Sequence, residues 1–308
     1  MLSICIPAYN FIIIDLVSAL SSQIGTCGCE CEIIVIDDAS HENFKNANKI
    51  VSNYEFVNYI ELPLNIGRSK IRNLFLEYSK YDNLLFLDCD SLVVSNDFIK
   101  KYIDVIKRNE FFVVCGGRIY DPHRPEKNKM LRWKYGIIKE SQPLDIRIKS
   151  PNNSFMTNNF LVKRNVFEQI KFDERICQYG HEDTLFGFML KKKGITINHI
   201  DNPVLNGDIE DNIEYLEKTE KGIINLIYIL KYLDYNADFI KDVAILNFYN
   251  KIDSIKITNI IRFFFFCLKP FFKFFLVQGI VILWLFDFYK LGLLIQNFKY
   301  HTTIAVNK

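Results

Sequence analysis

The stretch Asn83-Leu84-Leu85-Phe86-Leu87-Asp88-Cys89-Asp90-Ser91 joins a short apolar run to two carboxylates. Four apolar residues bounded by polar ones are too few for a helix and predict a strand buried on both faces of a sheet. In open α/β sheets, ligands bind just beyond the carboxyl ends of the strands. Asp88 and Asp90 would lie there and offer hard oxygen ligands to Mg²⁺ or Mn²⁺. The pair alone is weak evidence, because most Asp-x-Asp pairs lie in solvated turns.

Charge and aromatic residues are distributed unevenly along the 308 residues. The hydrophobic content of 49% suffices for one large domain with an appendage. From Lys251 onward, eight Lys or Arg and two Asp residues give a balance of +6, so the first 250 residues carry −4 of the total +2. A nucleic-acid-binding protein would carry its basic patch on the folded domain. The distribution therefore argues against nucleic acid as a partner and favours a soluble domain with a membrane-facing end.

The N-terminus and the cysteines predict a protein of a reducing compartment. Residues 1–7 contain no basic region and no long apolar stretch, so no signal peptide is predicted. The eight cysteines, Cys177 among them, lie mostly inside apolar runs, which favours free, buried thiols. The cluster Cys27-Gly28-Cys29-Glu30-Cys31 leaves metal binding open, but its spacing fits no zinc ribbon. We expect a loop leading into a strand at this cluster.

Short apolar strands alternate with helices along the first two thirds of the chain. The predicted strands are Leu2–Ile6, Glu32–Ile36, Val57–Leu62, Leu84–Leu87, Phe111–Cys115, Asn158–Val162 and Ile195–Ile200. The predicted helices are Asp15–Ile24, Phe44–Val51, Ser69–Tyr78, Phe98–Ile106, one starting near Arg164, and Thr184–Lys193. This alternation predicts an α/β fold with a doubly wound, mostly parallel sheet. Gly116–Pro151 lacks such a pattern and is predicted to be a long irregular loop.

Polar segments follow three predicted strands at their carboxyl ends, namely Pro7–Asn10, Asp37–Ser40 and Asp88–Asp90. Any one of them alone would be interpreted as a polar turn. Three on one edge of the sheet favour a nucleotide-binding crevice. No Gly-x-Gly-x-x-Gly or Walker-type loop is present, so dinucleotide-binding and P-loop proteins lose their main support.

The sequence resembles the inverting nucleotide-sugar glycosyltransferases of glycosyltransferase family 2, which have the Rossmann-like GT-A fold. The matching segments occur in the family's order and spacing over roughly residues 1–230. They are Pro7-Ala8-Tyr9-Asn10, Asp37-Asp38-Ala39-Ser40, Asn65-Ile66-Gly67 with Arg72-Asn73, Asp88-Cys89-Asp90, and Gly180 with Glu182-Asp183. By this resemblance, Pro7, Tyr9 and Asp38 would line the nucleobase pocket. Arg72 would help to hold the nucleotide.

The resemblance also implies a metal site and a catalytic base. Asp88 would contact the ribose and the metal, directly or through water, and Asp90 would bind the Mn²⁺ or Mg²⁺ that bridges the diphosphate. Asp183 matches the base that deprotonates the acceptor hydroxyl, so that a single displacement inverts the anomeric configuration. Where the family commonly has Pro-Val-x-His, this chain reads Pro-Val-Leu-Asn-Gly-Asp. Asn206, in the place of the His, or Asp208 is a possible third ligand.

The sequence predicts three domains. Residues 1–208 would form the GT-A catalytic domain. Residues 209–250 would form a helical extension with helices at Glu210–Leu233 and Phe239–Tyr249. Residues 251–308 would form an aromatic, basic, membrane-associating tail, whose longest uncharged run, Phe274–Phe286, has 13 residues. A bilayer needs about 20, so we expect a lysine-anchored hairpin in the plane of the membrane. A helix packed on the domain or in a dimer is the alternative.

Together these features predict a metal-dependent inverting glycosyltransferase (EC 2.4 class), cytoplasmic and peripheral on the inner face of the cell membrane. Its donor would be a UDP- or GDP-sugar and its acceptor a glycan or lipid-linked glycan for a surface polysaccharide. A nucleotidyltransferase is one alternative, but it would need a basic, Gly-rich loop after the first strand. A catalytically inactive, membrane-attached sugar-nucleotide-binding scaffold is the other, and the presence of Asp88, Asp90 and Asp183 argues against it.

Overall fold

The computed structural model describes residues 1–176 and 178–306, with side chains described up to residue 298. The chain forms two compact units. The first comprises Met1–Asp121, Glu140–Cys177 and Met189–Asp208, and the second comprises Pro122–Lys139, Gln178–Phe188 and Ile209–Lys308. The sequence-based division placed the segments 122–139 and 178–188 in the catalytic domain. A division at single points along the sequence cannot assign such segments, because they lie between parts of the first unit in the sequence but belong to the second.

The first unit contains the strands β1 (Leu2–Ala8), β2 (Cys31–Asp37), β3 (Val57–Glu61), β4 (Asn83–Leu87), β5 (Ser91–Leu92), β6 (Val113–Cys115), β7 (Arg118–Ile119), β8 (Asn159–Lys163), β9 (Asn198–His199) and β10 (Val204–Asn206). A seven-stranded sheet has the order β3-β2-β1-β4-β8-β6-β9, and a three-stranded sheet has the order β5-β10-β7. In the large sheet only β8 runs antiparallel to its neighbours. This arrangement confirms the predicted α/β fold with a mostly parallel sheet.

The helices are α1 (Ile14–Cys27), α2 (Glu42–Asn48), α3 (Arg68–Tyr78), α4 (Phe98–Arg108), α5 (Met130–Tyr135), α6 (Leu144–Arg147), α7 (Arg164–Gln169), α8 (Glu182–Lys192), α9 (Asn212–Tyr232), α10 (Ala237–Asp242), α11 (Ala244–Ser254), α12 (Thr258–Val277) and α13 (Leu283–Val306). The central strands β1 and β4 are buried almost throughout because helices cover both faces of the sheet. On β4, the Phe86 ring stacks on Phe160 of β8 at 4.8 Å between centroids.

The first strand was predicted to end at Ile6, before Pro7. In the structure β1 continues through Pro7 to Ala8 and pairs with β2 to its end. Residues of a parallel strand bond alternately to the two neighbouring strands, and the Ala8 carbonyl accepts from Asp38 on the β2 side at 2.8 Å. The missing N–H of Pro7 therefore faces the other side, where the pairing with β4 has already ended at Cys5. A proline is tolerated there because no ladder hydrogen bond is lost.

Two other predictions differ from the structure. The segment Gly116–Pro151, predicted as an irregular loop, contains β7, α5, α6 and a π-helical turn over Gly136–Glu140. Elements of two to six residues are too short to show a periodic pattern. The predicted helix Phe239–Tyr249 is divided into α10 and α11 at Val243, which adopts an extended conformation.

In the second unit, α13 packs against α9 and α12. The side chain of Phe265 on α12 lies directly over Gly292 on α13, where no Cβ intervenes. The opposite side of α12 exposes Phe263, Phe264, Phe266, Phe271 and Phe274, each by more than half of its surface. We call these five residues the aromatic face. Within the described residues, every helix is too short or too polar to traverse a bilayer.

Seven of the eight cysteines are described, and all seven carry free thiols, as predicted. Three of them are buried, namely Cys5, Cys31 and Cys115, whereas Cys267 on α12 is exposed, so the prediction of burial holds only in part. Cys177 lies outside the described residues. Across the described part of the chain, no group of three or more His, Cys, Asp or Glu side chains is arranged to hold a metal ion, and this includes the cysteines that surround Gly28.

Candidate donor-binding site

Three of the predicted site segments meet at one edge of the large sheet. The strands β1, β2 and β4 are adjacent and parallel, so their carboxyl ends lie side by side. The amide of Asp38 donates to the carbonyl of Ala8 at 2.8 Å, which joins the loops after β1 and β2. The thiol of Cys89, between Asp88 and Asp90, bonds to the backbone of Tyr9, and burial raises its pKa to about 12. The loop after β4 therefore adjoins the loop after β1.

The loop after β1 leaves the ring of Tyr9 51% exposed at this edge. Asn10 has a φ of 50°, in the left-handed region that Asn tolerates better than most residues. The backbone amide of Asn10 donates to Ser40 Oγ at 2.8 Å, and the side-chain Oδ1 of Asn10 accepts from the backbone amide of His41 at 2.8 Å. These two bonds fix the turn that presents the Tyr9 ring.

Asp38 stabilises the turn that precedes α3 by hydrogen bonds. It is 5% exposed, and its two carboxylate oxygens accept from the amides of Ile66 at 2.7 Å and Gly67 at 3.0 Å. Burial raises the pKa of Asp38, although both amides oppose the rise. Gly67 has a φ of 83°, a conformation that favours glycine. Asp38 therefore orients the start of the helix that carries Arg72, in addition to its predicted place beside the nucleobase.

Asp88 lies between two guanidinium groups. Arg72, 3% exposed, donates from Nη2 to Asp88 Oδ1 at 2.9 Å and to Thr157 Oγ1 at 3.2 Å. Arg118 Nη2 approaches Asp88 Oδ2 at 3.7 Å. Burial alone would raise the pKa of Asp88, but Arg72, Arg118 and Arg68 outweigh it and hold that pKa below its ordinary value. Asp88 is therefore an ionised carboxylate held at both oxygens.

Arg118 is a site residue that the sequence analysis missed. It also contacts Glu140, with Nη1 3.5 Å from Oε2, and Tyr120 donates to the same oxygen at 2.5 Å. Two glycines bring it there: a Cβ on Gly116 would collide with neighbouring side chains, and Gly117 has a φ of 96°. The Gly-Gly-Arg sequence directly after a buried strand was the available signal, since it has the same placement as the other site segments.

The predicted metal ligands lie on adjoining backbone segments. Asn206 on β10 pairs with Ser91 on β5, and the amide of Gly207 donates to the carbonyl of Asp90 at 2.7 Å. A Cβ on Gly207 would lie 2.7 Å from that carbonyl, so the close approach requires glycine. Asp90, Asn206 and Asp208 therefore lie on neighbouring stretches of backbone, and carboxylate and amide oxygens are the ligand types that Mg²⁺ and Mn²⁺ prefer. Direct coordination by Asp88 would compete with the two arginines.

Asp183 belongs to the second unit and lies in the first turn of α8. Its Oδ1 accepts from the amide of Thr184 at 2.7 Å and from the Thr184 hydroxyl at 3.3 Å. The preceding residue pair, Gly180 and His181, has φ values of 92° and 67°. A Cβ on Gly180 would lie 3.2 Å from the Cα of Gly222 on α9. The start of α8, and with it Asp183, is therefore positioned by a tight backbone turn.

Residues 3–171, more than half of the chain, match the family described as Glycosyl transferase family 2, and the chain belongs to this family. The uncharacterized glycosyltransferase YfnE of Bacillus subtilis (strain 168) is 27% identical over 272 residues, which cover 70% of this chain and 69% of that protein. The chondroitin synthase of Escherichia coli is 24% identical over 232 residues, which cover 63% of this chain but 32% of the synthase. The chain thus spans about a third of that relative's length.

Solved glycosyltransferases share the fold. The mannosyltransferase PcManGT from Pyrobaculum calidifontis, in complex with GDP-Man and Mn²⁺, superposes with a TM-score of 0.54 at 14% identity, covering 75% of this chain and 64% of that one. TarS 1–349 of S. aureus, in complex with UDP-GlcNAc, gives 0.51 at 16% identity, with coverages of 94% and 90%. At these identities the likeness shows the fold alone. Together with the family match, it confirms the predicted glycosyltransferase class, a nucleotide-sugar-dependent enzyme of GT-A type.

Proposed function

We propose that this glycosyltransferase is metal-dependent and inverting, and that its donor is a UDP- or GDP-sugar. The observation that carries the proposal is the convergence of three polar segments at the carboxyl ends of β1, β2 and β4. A nucleotide sugar needs a flat surface for the base, positive charge near the diphosphate and oxygen ligands for a cation. The exposed ring of Tyr9, the two arginines beside Asp88, and Asp90 with Asn206 supply these three requirements.

Each residue of the site has a distinct task in this mechanism. The arginines keep the Asp88 carboxylate ionised and fixed, so that it accepts hydrogen bonds from the ribose hydroxyls. Asp90, with Asn206 or Asp208, would hold the divalent cation, which when bound offsets the negative charge that develops on the nucleoside diphosphate. Asp183 would remove the proton from the acceptor hydroxyl, and one displacement without an enzyme nucleophile inverts the anomeric centre.

The experiment is a panel of UDP- and GDP-sugars, each measured for thermal stabilisation of the full chain with and without Mn²⁺. We expect one donor class to raise the unfolding temperature only when Mn²⁺ is present. The variant Asp90→Asn should fold normally and lose this stabilisation. The control Asp82→Asn, at the exposed opposite end of β4, should retain it.

Four outcomes would contradict parts of the proposal. Stabilisation that is equal without Mn²⁺ would exclude metal dependence, and unchanged binding in Asp90→Asn would reject that residue as the ligand. Binding of the donor without release of nucleoside diphosphate, in the presence of a range of acceptors, would favour the inactive scaffold. Release of pyrophosphate when the protein is given a nucleoside triphosphate and a sugar phosphate would favour a nucleotidyltransferase.

We further propose that the aromatic face of α12 lies on an anionic membrane surface and that the acceptor is lipid-linked, for a surface polysaccharide. Five largely exposed phenylalanines on one helix are more than a soluble surface normally carries, and such apolar patches normally contact a membrane or a partner. The helix carries Arg262, Lys269 and Lys273 and no acidic residue, so its charge complements anionic headgroups. The proposal therefore includes a location on the cytoplasmic face of the cell membrane, where nucleotide sugars are available.

A further inference from the structure

A buried side-chain amide beside Asp88 has no hydrogen-bond partner among the described residues. Asn158 is 2% exposed, and within the described residues neither its side-chain Nδ2 nor its Oδ1 is hydrogen-bonded. Leaving a buried polar group unsatisfied costs about 1–3 kcal/mol, so native structures rarely retain such a group without a reason. The cost falls on a residue at the site, which points to a group that binds there and pairs with the amide.

The neighbouring Asn159 shows how this part of the sheet normally satisfies an amide. Its Nδ2 donates to the carbonyls of Gly117 at 3.0 Å and Asn202 at 2.8 Å, and its Oδ1 accepts from the hydroxyl of Tyr102 at 2.5 Å. Asn159 is therefore a structural amide. Asn158, the residue directly before β8, has the same side-chain chemistry but none of these partners.

The register of the sheet places Asn158 next to Asp88. Leu87 pairs with Asn159, and the amide of Asp88 donates to the carbonyl of Asn158 at 3.2 Å, which continues the ladder by one pair. Phe86, two residues before Asp88, pairs with and stacks on Phe160, two residues after Asn158. Asp88 and Asn158 therefore lie opposite each other, one residue beyond the end of β4 and one residue before the start of β8.

The position and the chemistry together identify the ligand class. The proposed nucleotide segments lie at the ends of β1, β2 and β4, and Asn158 lies just beyond them, at the start of β8. In a nucleotide sugar, the sugar follows the diphosphate. A phosphate oxygen only accepts hydrogen bonds and would leave Oδ1 unpaired, whereas a sugar hydroxyl both donates and accepts.

We propose that the Asn158 amide binds hydroxyl groups of a sugar, donating one hydrogen bond through Nδ2 and accepting one through Oδ1. This inference rests on the proposed function, since it assigns a further contact at the same site. It makes Asn158 a determinant of which sugar is selected, because a site with buried polar groups discriminates against analogues that leave them unpaired. The sugar belongs either to the donor or to the acceptor.

The experiment compares Asn158→Leu, which removes the amide at similar volume, with the matched control Asn159→Leu. Binding of UDP, GDP and their sugar conjugates to the full chain is measured by calorimetry with Mn²⁺, together with unfolding in urea. Asn158→Leu should keep or increase the free energy of unfolding, because none of the described residues pairs with the amide in the free protein. It should bind the nucleoside diphosphate normally and the donor about tenfold more weakly, the loss expected for two hydrogen bonds. Asn159→Leu should lose stability instead.

The outcomes separate this inference from the proposed function. If the wild type binds no nucleotide sugar, the proposed function fails and the inference with it. If the wild type binds a donor and Asn158→Leu and Asn158→Ala both bind it equally well, with unchanged KM for the acceptor, the inference alone is wrong. A loss of stability in both variants without any change in sugar binding would show that the amide pairs only with a structural water. An increase confined to the acceptor KM would assign the sugar to the acceptor.

Discussion

Asp88 illustrates how a few side chains determine the chemistry of this site. Its carboxylate lies between the guanidinium groups of Arg72 and Arg118, and Arg72 also donates to Thr157 next to the unpaired amide of Asn158. A buried arginine without a counter-charge would be strongly destabilising, so the carboxylate and the arginines depend on one another. The same contacts that stabilise the fold therefore keep Asp88 ionised, as its proposed contact with the ribose requires.

The variant Asp183→Asn tests the catalytic base at the residue scale. Because the proposed proton transfer occurs in the transition state, turnover should fall about 10²–10⁴-fold while donor affinity is nearly unchanged. Steady-state kinetics and donor titration measure the two quantities separately. The matched control Glu182→Gln changes the other carboxylate of the same helical turn. Equal losses of turnover and donor affinity in Asp183→Asn would indicate that Asp183 only caps α8.

His181 predicts a pH dependence of stability. Burial lowers its pKa from the ordinary 6.5 to about 4, and Lys290 contributes in the same direction. Because the folded-state pKa is depressed, the unfolded chain binds a proton that folded His181 does not bind. Its contribution to stability is therefore present above about pH 6.5 and is lost as the pH falls towards 4.

The variant His181→Asn should show a smaller loss of stability over this pH range. Asn suits the φ of 67° at this position, so the backbone need not change. Urea denaturation at several pH values between 7 and 4.5 gives the free energy of unfolding of both proteins. Parallel curves for the wild type and the variant would show that His181 is protonated equally in the folded and unfolded states.

At the scale of elements, the packing of α12 on α13 depends on a single glycine. The ring of Phe265, 1% exposed, occupies the space that a Cβ on Gly292 would need. A glycine inside a helix normally weakens it by about 1 kcal/mol relative to alanine. Glycine at position 292 allows the two helices to approach more closely than any residue with a Cβ would, and this contact offsets the cost.

The pair Gly292→Ala and Gly25→Ala tests this explanation. Gly292→Ala should lower the free energy of unfolding by about 1–3 kcal/mol, because the added methyl group collides with Phe265. Gly25 in α1 has no atom within 4 Å of an added Cβ, so Gly25→Ala should raise stability by up to about 1 kcal/mol. Thermal and urea unfolding compare the two. A stabilising Gly292→Ala would mean that α12 does not pack on α13 as described.

For the whole molecule, the distribution of surface properties predicts where it binds. The aromatic face of α12 is accompanied by basic residues, whereas the first 250 residues carry a net negative charge. Adsorption through α12 would thus combine apolar insertion with attraction to anionic lipid. The net negative charge of the first 250 residues would oppose adsorption through that part of the chain.

Vesicle flotation tests this prediction on the full chain. The protein should float with vesicles that contain phosphatidylglycerol, less at high salt, and weakly with phosphatidylcholine alone. The triple variant Phe263→Ser, Phe266→Ser, Phe271→Ser should remain folded and no longer float. The control Phe112→Ser removes a similarly exposed ring from the first unit and should float normally. Flotation of the triple variant, or none of the wild type, would contradict the membrane assignment.

The local sequence pattern was sufficient for the strands and for the site segments that directly follow them. The pattern of apolar residues depends on contacts between residues a few positions apart, so it predicts individual strands and helices. Tyr9, Asp38 and Asp88 directly follow the apolar runs that form strands. Since parallel strands end at a common edge, these residues were predicted to lie together, and they do. Family resemblance, rather than periodicity, supplied Asp183.

The other site residues depend on pairings between distant parts of the chain. Arg118 reaches Asp88 because two glycines turn the chain out of the sheet after β6, and Asn158 lies beside Asp88 because β8 runs antiparallel to β4. Neither the direction of β8 nor the burial of an unpaired amide has a local signature, because both arise from contacts between segments about 70 residues apart. The folded chain alone therefore distinguishes Asn158 from the structural Asn159 next to it.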